Sequence, residues 1–387
     1  MIPRLITTIA LISGSVFAEA PRIDSIHSAM EKAIAQKQAA GIVTLAMKDG
    51  KIIHHDAAGF ANVAKQAPMQ KDSLFWIASM TKSVSITTIM TLVDEGKLSL
   101  DEPASKWMPS LGKVKLQNGQ PPARPITLRD LTSHTGGIAF PPRKPTDGAI
   151  SLKAYAESLV KAPLAFEPGS AYEYGFGITI AGRIAEIVSG KKFEQLVDER
   201  ICQPLGMKNT TFHPNEAQRA RIAQTYKMDD ETNQLVPGYN PFVTSDVTVT
   251  HMTEPAGGLF STAEDMGKFY QMILNGGTWE GKQIVSKASI AEMTKPHHAG
   301  GKELNYGLCW FVNIEAQRPA PMMPVGSYGH GGAFATNGWV DAKNGLITVF
   351  MVQNVLVPNS NQPRDTFHRL INESLGIPTP ELPAKNK

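Results

Sequence analysis

The chain has 387 residues, 42% of them hydrophobic and 19% charged, an ordinary globular composition far from that of disordered chains. Its 38 Lys+Arg against 35 Asp+Glu leave a net charge of +3, too even for a chain whose main partner is nucleic acid. Two cysteines, Cys202 and Cys309, exclude a disulfide framework, and no Cys-x-x-Cys or His-Glu-x-x-His spacing supports a zinc site.

Residues 1–20 carry Arg4, an apolar run over 5–17 and small residues at the cleavage spacing in Val16-Phe17-Ala18, the pattern of a secretory signal peptide. A cut after Ala20 is the alternative. The run is too short to span a bilayer and holds no cysteine for lipidation. No other stretch is long and apolar enough to cross, so the expectation is a soluble chain that is secreted or periplasmic.

In chain order, residues 41–47 and 51–57 flank Asp49-Gly50 and predict a tight β-hairpin. Residues 79–95 are apolar almost all round and stop at Gly96, which predicts a buried helix. Residues 117–125 and 141–145 are Pro-rich and read as surface loops. Ile178, Ala181, Ile184, Ala185 and Val188 repeat at helical spacing up to Gly190. Thr262 or Ser261 caps a further helix with an acidic residue in its first turn. Residues 306–314, 333–340 and 346–353 read as strands, the last two joined through Lys343-Asn344-Gly345. The tail over 378–387 reads as frayed.

Strands at both ends with helices between predict an α/β (α+β) chain with one antiparallel sheet built from both termini and flanked by helices. The sheet domain takes residues 21–115 plus 250–377, and a mostly helical region over 116–249 is inserted into it.

Several chemistries drop out early. There is no Gly-x-Ser-x-Gly elbow, no phosphate loop and no dinucleotide fingerprint. Ser-x-x-Lys occurs four times, at Ser79/Lys82, Ser110/Lys113, Ser158/Lys161 and Ser189/Lys192. Only Ser79 opens a long helix that must be buried. There Lys82 lies on the same helix face as Ser79, helix-start N–H groups favour an oxyanion, and a buried amine gives up its charge more readily. On spacing alone Ser79 reads equally as the cap of a core helix, with Lys82 at the surface.

Further segments bear on that choice. They are Phe75-Trp76-Ile77-Ala78-Ser79-Met80-Thr81-Lys82, then Leu128-Arg129-Asp130-Leu131-Thr132-Ser133-His134-Thr135-Gly136-Gly137, then Pro168-Gly169-Ser170-Ala171-Tyr172-Glu173-Tyr174. Pro204-Leu205-Gly206-Met207, Ala256-Gly257-Gly258-Leu259 and Gly329-His330-Gly331-Gly332 follow in order. In these the sequence resembles the serine β-lactamase and penicillin-recognising family, nearest to class C β-lactamases and family VIII carboxylesterases.

The resemblance implies a β-lactamase/transpeptidase-like fold, Ser79 as the acylated nucleophile and Lys82 as its proton acceptor. It implies Tyr174, rather than the nearby Tyr172, as the phenol that moves protons between nucleophile, leaving group and water. It also implies an oxyanion hole from the N–H groups of Ala333 and Ser79, and no cofactor. His330-Gly331-Gly332 stands where the family carries Lys-Thr-Gly, on a strand edging the site, its glycines admitting substrate backbone. His330 reads equally as a hydrogen-bonded structural residue.

Two departures bear on substrate. Phe176 stands in Tyr174-Gly175-Phe176 where the family has an asparagine amide, or the segment is one residue shorter; either way that amide is missing, and His330 replaces the permanent cation of the third motif. Both favour a neutral acyl substrate, so the expectation is a carboxylesterase on short or medium acyl esters. The alternatives are a β-lactamase, a D-amino-acid peptidase, amidase or transacylase, and a penicillin-recognition fold used for binding alone. The expected partner is a small-molecule acyl ester or amide; the sequence carries no sign of oligomeric state. His54-His55 and His297-His298 read as surface histidines rather than metal ligands, Ser133 and His134 as loop-fixing residues, and Cys202 and Cys309 as buried thiols, a disulfide remaining open.

Overall fold

Asp49 and Gly50 both have positive φ, 50° and 79°, the backbone a two-residue hairpin turn requires. They join β1 (Gly41–Lys48) to β2 (Lys51–Asn62), as the Asp-Gly pair predicts. The computed structural model describes residues 23–138, 151–243, 252–315 and 317–380; residues 1–20, 141–145 and most of 378–387, expected above to be a signal peptide, a surface loop and a frayed tail, lie outside them.

The elements that position the site are, in order, α1 (Ser25–Ala35), β1, β2, β3 (Ala67–Pro68), β4 (Phe75–Trp76), α2 (Thr81–Asp94), α3 (Leu128–Thr132), α4 (Leu152–Leu159) and α5 (Gly177–Ser189). There follow β5 (Phe260–Ser261), α6 (Ala263–Leu274), β6 (Phe311–Val312), β7 (Tyr328–Gly331), β8 (Asn337–Asp341), β9 (Leu346–Met351) and α7 (Gln362–Ser374). Seven strands form one antiparallel sheet in the order β6-β7-β8-β9-β1-β2-β3, so its two halves come from opposite ends of the chain.

Both faces of this sheet are covered, and β1 shows how. Val43, Leu45 and Met47 point into the larger core with α2 and α6, while Ile42 and Ala46 point the other way beneath α1 and α7. The side-chain period of two sends alternate residues to opposite faces, and a strand buried on both is apolar at nearly every position; the exception in β1 is Thr44, whose hydroxyl is hydrogen-bonded to His54 Nε2 at 2.8 Å. Helix α2 lies deep enough that Thr81 through Leu92 are all buried. Its hydroxyls are satisfied: Ser83 donates to the Cys309 carbonyl, Ser85 to that of Pro255, and Thr87 and Thr88 back into the helix. Gly190, at φ 71°, and the Thr262 side chain, which accepts from the Asp265 N–H, end α5 and start α6 where expected.

Two predicted strands are shorter than their composition suggests. Of 306–314 only Phe311–Val312 is strand, because Gly307 passes so close to Met293 that a Cβ would lie 2.1 Å from its carbonyl oxygen and Cys309 turns at φ 56°. Of 333–340 the strand begins at Asn337; residues 332–336 form a turn closed by the Gly332 N–H on the Thr336 carbonyl at 2.7 Å, with Ala335 at φ 69°.

Candidate active site

Strand β4 runs into a single 3-10 turn, Ala78–Met80, before α2 begins at Thr81. Ser79 therefore sits one turn ahead of the α-helix proper rather than within it, with Ala78 before it at φ 45°. A non-glycine residue held there costs about 1–3 kcal/mol and persists only where surrounding contacts over-determine it. Those contacts are present. The Ile77 N–H donates to Leu259 O at 3.0 Å, Thr336 Oγ1 to Ile77 O at 3.2 Å, and the Leu259 N–H to Thr81 Oγ1 at 3.1 Å. Ser79 is half-buried while Ala78 and Met80 on either side are buried, so the turn presents its hydroxyl outward.

Lys82 is 3% exposed. Its Nζ donates to Ser79 Oγ at 3.2 Å and to the Ala256 carbonyl at 2.7 Å, and lies 4.8 Å from the centre of the Tyr174 ring. The structure thus brings Ser79, Lys82 and Tyr174 together. Tyr172 faces His134 and Tyr306 instead, and burial holds its phenol above the ordinary range.

Ala333 is exposed at the start of the 332–336 turn, which Thr336 ties to Ile77 beside the nucleophile. Among the described residues neither the Ser79 nor the Ala333 N–H has an acceptor. Gly332 serves the protein itself rather than an approaching substrate, since a Cβ there would lie 2.1 Å from Thr336 Oγ1 and 2.5 Å from Ile77 O. At Gly331 a Cβ would lie 3.2 Å from Asn337 Nδ2, a tight contact, but with the end of a side chain rather than with backbone.

His330 is 1% exposed on β7 and belongs to a directed chain of hydrogen bonds. The Gly175 N–H donates to His134 Nδ1 at 3.2 Å, which assigns the His134 proton to Nε2, 3.2 Å from Tyr306 Oη. At the other end His330 Nδ1 faces the Gly331 carbonyl at 2.7 Å and must carry a proton, so Nε2 accepts from Tyr306 Oη at 3.1 Å. Every donor along this chain finds one acceptor only if both histidines are neutral. Burial, aided by the Lys82 charge, pushes His330 down to about 3 and His134 well below its usual value. The Tyr174 ring lies 4.6 Å from His134 and 6.1 Å from His330, so the chain forms the wall against which Tyr174 rests.

Phe176 turns its ring edge-on to Tyr155 of α4, with centroids 6.3 Å apart. His297 is not a surface residue: it is 8% exposed and faces Glu292, while His54 and His55 are half-buried on β2 and lowered by desolvation. Cys202 and Cys309 are both buried and free.

Two residues escape sequence reasoning. Tyr306 sits in an aromatic run of the kind that marks any strand. Glu254 is 2% exposed; its Oε1 accepts from Thr179 Oγ1 at 2.5 Å and from the Ala256 N–H at 2.9 Å, and burial pushes it up to about 7. The one signal for it was a lone acidic residue two positions ahead of Ala256-Gly257-Gly258-Leu259.

The family described as Beta-lactamase matches residues 26–373. Protein Rv1367c of Mycobacterium tuberculosis is 30% identical over 346 residues, covering 81% of this chain and 86% of its own. Esterase EstB of Burkholderia gladioli is 29% identical over 217 residues, covering 52% of this chain and 54% of its own. Among solved structures, EstCE1, titled a hydrolase with promiscuous acyltransferase activity, superposes with a TM-score of 0.76 at 22% identity, covering 90% of this chain and 97% of that one.

Proposed function

The chain belongs to the beta-lactamase family of serine hydrolases, and from that premise we propose that it is an exported carboxylesterase acting on short or medium acyl esters through an acyl-enzyme on Ser79. Ser79 Oγ attacks the ester carbon while Lys82 takes its proton. The tetrahedral oxyanion meets the N–H groups of Ser79 and Ala333, donors of a kind that contribute about 3 kcal/mol each to transition-state stabilisation. Tyr174, beside Lys82, passes the proton to the departing alkoxide, and water then releases the acyl group by the reverse transfers.

The observation that carries the choice of substrate is the neutral, fully hydrogen-bonded His330. A site that pairs a substrate carboxylate needs a cation opposite it; here the third-motif position holds a buried imidazole, and the amide of the second motif is replaced by Phe176. The name of EstB supports an ester. Export rests on residues 1–20 and is checked by N-terminal sequencing of the protein from its native host.

Hydrolysis of p-nitrophenyl butyrate by the wild type and Ser79→Ala tests the reading, with a cephalosporin and an N-acyl-D-alanyl-D-alanine peptide alongside. Loss of the nucleophile should lower the ester rate about a thousandfold or more. Equal rates would remove Ser79 from the mechanism, and faster turnover of either carboxylate substrate would overturn the esterase assignment.

A further inference from the structure

Glu254 lies in the loop that supplies the carbonyl partner of Lys82. That loop is clamped from both sides. On the α2 side, Ser85 Oγ donates to Pro255 O at 2.8 Å and Lys82 Nζ to Ala256 O at 2.7 Å. On the α5 side, Thr179 donates to Glu254, and Gly182 packs so closely that a Cβ would lie 2.5 Å from Pro255 Cγ. The Glu254 carbonyl also accepts from the Gly257 and Gly258 N–H groups at 3.0 and 2.8 Å. A continuous path therefore runs from Thr179 Oγ1 to Glu254 Oε1, from there to the Ala256 N–H, across Ala256 to its carbonyl and Lys82 Nζ, and on to Ser79 Oγ.

We propose that Glu254 is a positioning residue for the nucleophile: its carboxyl fixes the Ala256 N–H and so orients the residue whose carbonyl holds the Lys82 amine, and its charge governs how readily Lys82 exchanges a proton with Ser79. The inference rests on Ser79 and Lys82 being nucleophile and base. A structural acid would be better replaced by an amide. Here the second carboxyl oxygen, Oε2, is buried without a hydrogen-bond partner among the described residues, so the group is neither fully paired nor exposed. Such a carboxyl changes charge near neutrality when a cation is within reach of its field. The charge that favours its ionised form is that of Lys82, against the dominant cost of desolvation.

The other groups facing it are accounted for. Thr179 on α5 donates to it, and Tyr155 on α4, whose phenol is buried without a partner among the described residues, is itself pushed up by burial and by the Glu254 charge. On the neighbouring residue, Thr253 donates to Glu194 and contacts His213 at 3.1 Å, which ties those two groups away from the Glu254 carboxyl.

The test is the pH dependence of acylation, measured by stopped flow with p-nitrophenyl butyrate on full-length wild type, Glu254→Gln and Thr179→Val, with Ser79→Ala as reference. Glutamine keeps the acceptor for Thr179 and Ala256 and removes the charge. The rising limb of the acylation rate should then move to lower pH, because removing an anion near an amine favours the amine's neutral form. KM should stay within about twofold, since no substrate contact changes. Thr179→Val removes a hydrogen bond that favours the carboxylate and should move the limb the same way by less. Limbs that superpose on the wild type in both variants would overturn the inference while leaving the nucleophile intact. Full activity in Ser79→Ala would overturn the underlying reading instead.

Discussion

The same buried carboxyl makes a prediction about stability that does not depend on catalysis. In the unfolded chain Glu254 ionises near 4.5; in the fold, desolvation pushes it up to about 7. Between those values the unfolded chain releases a proton that the folded chain keeps, so stability falls as pH rises, and the contribution present below 4.5 is lost once pH passes 7. A difference of about 2.5 units corresponds to about 3 kcal/mol. Glu254→Gln removes this dependence while keeping the acceptor for Thr179 Oγ1 and the Ala256 N–H. Urea unfolding of both proteins from pH 4 to 8 should therefore show the variant gaining on the wild type by about 3 kcal/mol across that range. Taking the difference cancels the buried histidines His134, His330 and His368, which both proteins share. A gap between the two proteins that stays constant from pH 4 to 8 would refute the burial argument for Glu254.

Two further substitutions probe the walls of the site. His330→Lys, which restores the family's third-motif cation, should destabilise the fold by several kcal/mol, on the order of 3 or more, because it buries a second ammonium facing Lys82 and breaks the bonds to Tyr306 and Gly331; an unchanged urea midpoint together with new turnover of carboxylate substrates would contradict the neutral-wall reading. Gly332→Ala should cost about 1–3 kcal/mol and lower esterase activity, because its Cβ meets the Ile77 carbonyl ahead of the nucleophile, whereas Gly331→Ala meets only a side-chain amide that can move; equal midpoints for the two variants would remove the contact from the account.

What could be read from the chain was local. The Asp49-Gly50 turn, the glycine stop at Gly190 and the Thr262 cap depend on a few neighbouring residues, and the fold uses them as read. The strand limits near 306–314 and 333–340 could not be read, because Gly307 is a single glycine within an otherwise strand-like run and the residues turned to positive φ are Cys309 and Ala335, types that carry no turn signal. Their positive φ is imposed from a distance: the Cys309 N–H reaches the Thr132 carbonyl, and the Asn354 N–H ties down Phe334 beside Ala335. Tertiary contact overrides local preference at both points.

The site divides the same way. Ser79 and Lys82 are three residues apart and visible as a pair, but what makes the amine a partner of that hydroxyl is the carbonyl of Ala256, 174 positions further on. Tyr306 and His134, 172 positions apart, have no sequence relation at all, yet together they assign the proton positions of His330. That assignment decides the chemistry. A histidine in place of lysine could have been a titrating cation, since an ordinary imidazole gains its charge near neutrality. Its Nδ1 instead donates to Gly331 and its Nε2 accepts from Tyr306, so a second proton would cost the Tyr306 bond and add a charge facing Lys82. The substitution visible in the sequence thus removes the cation altogether, and the hydrogen-bond chain invisible in it is the reason.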